Sequence, residues 1–481
     1  MKHRHARSRL LPAALLCACL AATFLLAGSV LSAPQAPDEL ERRVQAVGAP
    51  GAVIAVVRDG SVQLHATGTR TWGSDAALDV DTPMALGSVT KFFTALAVLQ
   101  LVERGDVSLD QPVADHLPWL DLGDEGAARS ITVRQLLSHT SGLSTRAGNL
   151  SQGDRDRSQG ALRRRVDRLS SVDAGTAGGG FAYSNANYQI LGALIEAVSG
   201  QSYADYLQQR LLAPLGMSRS FVLVPPPGLE PATGHYLLFG WPRPAPADLL
   251  GTGSAPQGGL YASARDMGVF MRAMLDGHPA LPSAALREEM MRPQPAAPRY
   301  GLGLMVGAPG APDLVHHGGQ TPGFDALLAL RPSQGLGVAV MTNAGPSRLF
   351  GATRSITYGT ASTVLGDVPD VPATVAASDL LVIGVLVFLA VSAMVLARVK
   401  RRGFSSRGGR WAGMAFGALL ALLAGLLVFV LPGLMGYTLT AIWVFQPDTL
   451  LVLLALAVLL ALGSVLVVRS ALRQRHGLSR S

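Results

Sequence analysis

The chain has 481 residues, 49% of them hydrophobic and 15% charged, which is enough for one large or two medium domains. A net charge of +8 would suit nucleic acid, but residues 1–10, 398–410 and 469–481 hold 4, 6 and 4 Lys/Arg and no Asp/Glu. The remainder, with 26 basic against 32 acidic residues, is mildly acidic, which argues against a nucleic-acid partner. Cys17 and Cys19 are the only cysteines and share the N-terminal apolar stretch, which excludes a disulfide frame, a cysteine metal site and a cysteine nucleophile elsewhere; no metal or cofactor is expected.

Met1 to Arg9 is basic and precedes an apolar segment from Leu10 to about Leu31, so residues 1–33 read as a secretory signal or an uncleaved anchor. Cleavage after Ser29 would suit the small residues Ala27 and Ser29. Leu26-Ala27-Gly28 resembles a lipoprotein signal, but Ser29 stands where the lipidated cysteine would have to be, which rules out lipidation there. A soluble domain is expected from Asp38 to Gly345. It opens with a short amphipathic helix to Val47 and strands at Gly51–Val57 and Ser61–Gly68 around an Arg58-Asp59-Gly60 turn, where Asp-Gly is a strong hairpin signal.

Next comes Gly87-Ser88-Val89-Thr90-Lys91, leading into the apolar run Phe92 to Leu99. If the run is helical, Ser88 and Lys91 lie on one face with amine near hydroxyl, a nucleophile beside a base. The chain has three lysines, Lys2, Lys91 and Lys400, and uses arginine at every other basic position. Arginine effectively never releases its proton, so only lysine can be tuned to accept one. The one lysine between the terminal basic segments therefore sits where proton chemistry needs it.

Val107 to Leu117 reads as a loop with a helix start, and Thr132 is a candidate cap for a helix in Ile131 to Leu143. Residues 144–180, rich in Arg, Ser and Gly, read as a covering loop around one short helix, and the proline-rich stretch 225–256 as a second long loop. Helices are expected at 187–199, 203–211 and 263–275.

Tyr183-Ser184-Asn185 closes the first loop, and His316-His317-Gly318-Gly319-Gln320 comes much later. A tyrosine beside a lysine can share a proton, with the ammonium favouring the phenolate, and relay a proton to a leaving group. The Asn185 amide suits a substrate carbonyl, and His317 with its glycines fits an edge strand on which Gly319 leaves room for close approach.

The ordered set resembles the serine hydrolases related to class C β-lactamases and penicillin-binding peptidases, whose motifs are Ser-x-x-Lys, Tyr-x-Asn and a Lys-Thr-Gly or His-x-Gly strand. ITVRQLLSHTSGL at 131–143, FAYSNANYQILGALIEAVSG at 181–200, LLAPLGM at 211–217 and GGLYASARDM at 258–267 extend the resemblance over about 38–345. It implies an α/β (α+β) domain, with an antiparallel sheet flanked by helices, a helical lobe, and the site between them. It further implies Ser88 as acylated nucleophile, Lys91 and Tyr183 as the proton-transfer pair, and Asn185 as a substrate ligand. His317 and Gly319 would form the third motif, and the Ser88 and Gln320 N–H groups an oxyanion hole. The absence of Lys-Thr-Gly departs from the pattern that recognises a β-lactam or D-alanine carboxylate.

After a linker at 346–379, apolar stretches at about 380–397, 412–431 and 450–468 each approach the roughly 20 residues of a membrane helix, giving an all-α membrane region of three helices. Arg398 to Arg410 and the tail 469–481 are basic, whereas 432–449 lacks Lys and Arg and carries Tyr437 and Trp443. The basic ends are expected in the cytoplasm and the hydrolase domain outside, with the bilayer as partner. No charge within the spans suggests a transport path. The sequence thus reads as a membrane-anchored extracytoplasmic serine hydrolase acting on an amide or ester, a cell-wall D-amino-acid peptide or a small ester. The alternative is a sensor or scaffold that binds a peptidoglycan-like ligand without turnover.

Overall fold

The computed structural model describes residues 35–123, 126–150, 152–172, 175–308, 310–345, 353–366, 368, 407–434 and 436–473. The expected leader and the first apolar stretch at 380–397 lie outside these. Helix α1 (Ala36–Val47) leads into β1 (Gly51–Arg58) and β2 (Ser61–Gly68). Asp59 and Gly60 take the positive φ values of 49° and 73° that a tight hairpin requires.

Four later strands, β3 (Met305–Ala308), β4 (Ala311–Thr321), β5 (Phe324–Arg331) and β6 (Leu336–Thr342), complete an antiparallel sheet of order β2-β1-β6-β5-β4-β3. Both faces are covered, so the inner strands are apolar throughout. On β1, Val53, Ala55 and Val57 join one core, and Ala52, Ile54 and Val56 join the other. Helix α5 (Ala264–Asp276) covers the first face with Phe270 and Met271. The second is covered by α1 and by α6 (Thr353–Leu365), through Leu40, Val44 and Ile356. Residues 353–365, expected in a linker, thus pack as part of the sheet domain because a two-sided sheet needs cover on its second face.

The helical lobe is built on α2 (Thr90–Glu103) and α4 (Asn185–Ser199). Every residue from Thr90 to Leu99 is buried, as for a helix surrounded by protein. Thr132 caps the helix Val133–Leu137 in a capping box with Gln135. The stretch 144–180 holds more helix than expected, with α3 (Thr145–Asn149) and Ala161–Asp167. The stretch 225–256 contains a hairpin, His235–Leu238 with Trp241–Pro244. Prolines at 242 and 244 concealed that hairpin, a two-stranded sheet among the described residues that touches the main sheet through a single bridge from His235 to Ala344.

Two long apolar helices close the described chain. Gly408–Leu434 takes in all but the first residue of α7 (Arg407–Gly425) and a π-turn, and Pro447–Leu472 lies in α8 (Pro447–Arg473). Both are long and apolar enough to cross a bilayer. They pack against each other where Gly417 leaves room for Val468.

Candidate active site

A tight helical turn, Gly87–Val89, carries Ser88 into α2. Ser88 is partly accessible, while Gly87 and Val89 are buried. Lys91 is fully buried, and its Nζ lies 3.0 Å from Ser88 Oγ, 2.9 Å from Asn185 Oδ1 and 2.8 Å from the Gln257 carbonyl oxygen. The carbonyl and the amide oxygen can only accept. A neutral amine has two N–H bonds and one lone pair, so it satisfies all three partners by donating to Asn185 and Gln257 and accepting from Ser88. Burial, with no carboxylate to offset it, pushes the Lys91 pKa well below its ordinary value, toward that neutral form.

Tyr183 lies across the amine, its ring centroid 5.1 Å from Lys91 Nζ. Burial raises its pKa strongly, and its interaction with Ser88 offsets only part of the rise. The expectation that an ammonium holds Tyr183 as phenolate is therefore corrected: enclosure favours a neutral phenol beside a neutral amine. Asn185, the first residue of α4, accepts from Lys91 at Oδ1 and leaves its N–H₂ for another acceptor.

The third motif lies on β4. This strand is not the edge strand expected, because β3 flanks it. That flank ends at Met305, opposite His316, so among the described residues His317 to Thr321 have β5 on one side and no strand on the other. Thr321 and Phe324 close the turn to β5. Counting the ladder's alternation from that pair turns the Gln320 N–H away from β5 and toward the open side. Gly319 fits because it lacks a side chain: a Cβ there would clash with the Leu86 carbonyl and come 2.9 Å from Ser88 N. A Cβ on Gly87 would in turn meet Gln320 N at 2.5 Å, so the two backbone segments are in contact.

His317 is buried, with Nε2 3.1 Å from the Tyr300 hydroxyl and Nδ1 2.6 Å from the Gly318 carbonyl oxygen. Burial and the nearby Lys91 lower its pKa to about 3, so it is uncharged at neutral pH. The structure thus brings together Ser88, Lys91, Tyr183, Asn185, His317, Gly319 and Gln320.

Three supports were not named in the sequence. The Gln257 carbonyl is one, and the residue type at that position carries no signal for it. His139 is another; it takes φ 58° and accepts hydrogen bonds at Nδ1 from Ser184 N (3.1 Å) and Asn187 Nδ2 (2.9 Å). SHTSG, just before the covering loop, was its only trace. The third is Asp325, buried under Gln320, whose Nε2 donates to it at 2.9 Å.

Residues 38–357 match the family described as Beta-lactamase. Penicillin-binding protein 4 of Amycolatopsis lactamdurans is 34% identical over 323 residues, 63% of this chain and 82% of that protein. Among solved structures, the octameric penicillin-binding protein homologue from Pyrococcus abyssi is 25% identical with a TM-score of 0.57, covering 68% of this chain and 77% of that one. A D-stereospecific amidohydrolase from Streptomyces sp. is 25% identical with a TM-score of 0.56, covering 69% and 99%.

Proposed function

The chain is a serine hydrolase of the β-lactamase family, and from that premise we propose that it cleaves an amide or ester through an acyl-enzyme on Ser88, at the outer face of a membrane to which its C-terminal helices anchor it. The observation that carries this reading is the set of three partners around Lys91, of which Ser88 alone has a proton to give to the amine lone pair.

In the proposed cycle Ser88 Oγ attacks the carbonyl carbon while its proton passes to Lys91 Nζ. The tetrahedral oxygen takes the Ser88 and Gln320 N–H groups, a device contributing about 3–4 kcal/mol per donor. Tyr183 gives its phenolic proton to the leaving nitrogen or oxygen and recovers one from Lys91. Loss of the leaving group leaves an ester on Ser88, which water cleaves by the reverse proton path. The Asn185 N–H₂ holds a substrate carbonyl, and Gly319 lets the Ser88 turn lie against the strand that carries Gln320. The D-stereospecific amidohydrolase and penicillin-binding relatives favour a D-amino-acid amide or peptide, with short esters as accessible surrogates.

A fluorophosphonate probe should label the wild-type chain and not Ser88→Ala. Absence of labelling on the folded wild type would sink the hydrolase reading. For the location, protease added to intact cells, or to spheroplasts where there is an outer membrane, should digest residues 38–370 and leave a small helical fragment. Protection of the catalytic domain would reverse the proposed orientation.

A further inference from the structure

Helix α3 (Thr145–Asn149) touches the second motif on one side and the membrane hairpin on the other. Toward the motif, Thr145 Oγ1 donates to the Tyr183 carbonyl at 2.7 Å, and Ser184 Oγ donates to the Ser144 carbonyl at 2.8 Å. Gly148 is pressed against the same segment, where a Cβ would clash with Asn185 N and come 3.0 Å from Ala186 N. Tyr183 and Asn185 are thus seated by α3 along three consecutive residues.

On its other side α3 meets the loop joining the two apolar helices. Asn149, almost wholly buried, donates from Nδ2 to the Gly436 carbonyl at 3.0 Å. Gly436 lies over Thr145, with room for a Cβ 3.6 Å from Thr145 Cβ, and Gly433 faces Arg146. The far end of the loop is held separately. The Tyr236 hydroxyl donates to the Val444 carbonyl at 2.7 Å, and Gly153 packs against Thr440 and Val444. The spans of 27 and 26 residues are about 40 Å long at ~1.5 Å per residue, against a bilayer core of about 30 Å. Only residues 435–446, which include the short helix Leu439–Phe445, separate them, so on the membrane reading α3 rests on a short connection at the bilayer surface. Trp443, half exposed there, suits that interface.

We propose that the outer loop of the membrane hairpin is a docking surface for α3 and, through it, a positioning element for Tyr183 and Asn185, so that full turnover requires the hairpin to be seated on the catalytic domain. The proposal rests on the hydrolase and membrane readings above. A five-residue helix has little stability of its own. Contact on both sides fixes it, and releasing the outer side lets the Tyr183 carbonyl lose its Thr145 donor.

The test uses the full chain in lipid nanodiscs, with p-nitrophenyl butyrate as probe. Asn149→Ala should lower kcat about tenfold with KM within about twofold, since a displaced proton-transfer group slows chemistry more than binding. Tyr236→Phe, which touches only the far end of the loop, should move kcat in the same direction and combine with Asn149→Ala less than multiplicatively. A second measurement reads the contact without activity. With Cys17 and Cys19 replaced by Ser, and Asn149 kept, the exposed Arg146→Cys and Tyr437→Cys should be bridged by a short bis-maleimide, so that the halves stay joined after cutting at a protease site placed between 366 and 407. Absence of the bridge refutes the docking, and bridging with kcat unchanged in Asn149→Ala refutes the positioning role. A wild type with no turnover and no fluorophosphonate labelling would instead refute the hydrolase reading, while the cross-link still reports on the contact.

Discussion

Lys91 Nζ and Asn185 Oδ1 lie 2.9 Å apart, so the amide oxygen of the second motif is already committed to the lysine of the first. Asn185→Asp would place a carboxylate at that distance, and an opposite charge stabilises the ammonium. The acidic limb of the kcat/KM profile should move up by about one pH unit or more, with lower activity at pH 7. A pH series of ester hydrolysis measures this, and an unmoved limb would mean that the limb does not report Lys91.

Lys91→Arg separates proton chemistry from charge. Arginine keeps the charge but cannot supply a lone pair, and its planar fork does not fit three partners arranged around one nitrogen. General acid–base groups contribute about 100- to 10,000-fold. A loss of that order in kcat/KM is expected, close to that of Ser88→Ala, with circular dichroism unchanged. A folded variant within about tenfold of wild type would require the proposed mechanism to be withdrawn.

Gly319→Ala sets a methyl group against the Leu86 carbonyl and Ser88 N, both backbone atoms that cannot step aside. Separating the Ser88 turn from β4 should weaken the oxyanion site by at least about 100-fold in kcat and also lower the Tm. Near-normal turnover would show that the two segments need not touch.

Two buried histidines on β4 predict an acid weakness. Burial depresses His316 to about 4 and His317 to about 3, so both stay neutral in the folded chain while the unfolded chain takes up protons near pH 6.5. The unfolded state then binds more protons between about pH 4 and pH 6.5, and stability falls as pH drops through that window. At pH 5 each contributes a loss of up to about 2 kcal/mol. Unfolding of His316→Leu at pH 7 and pH 5 should show a smaller pH-dependent loss than wild type.

His317 also bears on substrate choice. Its nitrogens face the Tyr300 hydroxyl and the Gly318 carbonyl, and it is uncharged at neutral pH, so it offers a carboxylate no cation. Short acyl esters should be hydrolysed measurably and penicillins poorly. Spectrophotometric assay of both decides the matter, and efficient penicillin or cephalosporin turnover would refute the assignment.

By itself the sequence determined the chemical parts and the local elements. Ser88 and Lys91 are three residues apart, so any helical turn brings them together, and the lysine count separates Lys91 from ordinary surface charge. The Asp59-Gly60 hairpin and the Thr132 cap were legible for the same reason, since each rests on the backbone preferences of a few neighbouring residues. Tertiary structure decided everything that depends on distant segments meeting. The Gln257 carbonyl reaches Lys91 across 166 positions, and neither its direction nor its burial is encoded locally. The protonation states of Lys91 and Tyr183 follow from enclosure, which a motif does not express and which reversed the expectation of a phenolate. Strand β4 has an open side only where β3 stops, and residues 353–365 are a domain helix only because the sheet has a second face to cover. Local spacing sets what a short segment can do, and packing between remote segments sets which of its protons and edges are free to do it.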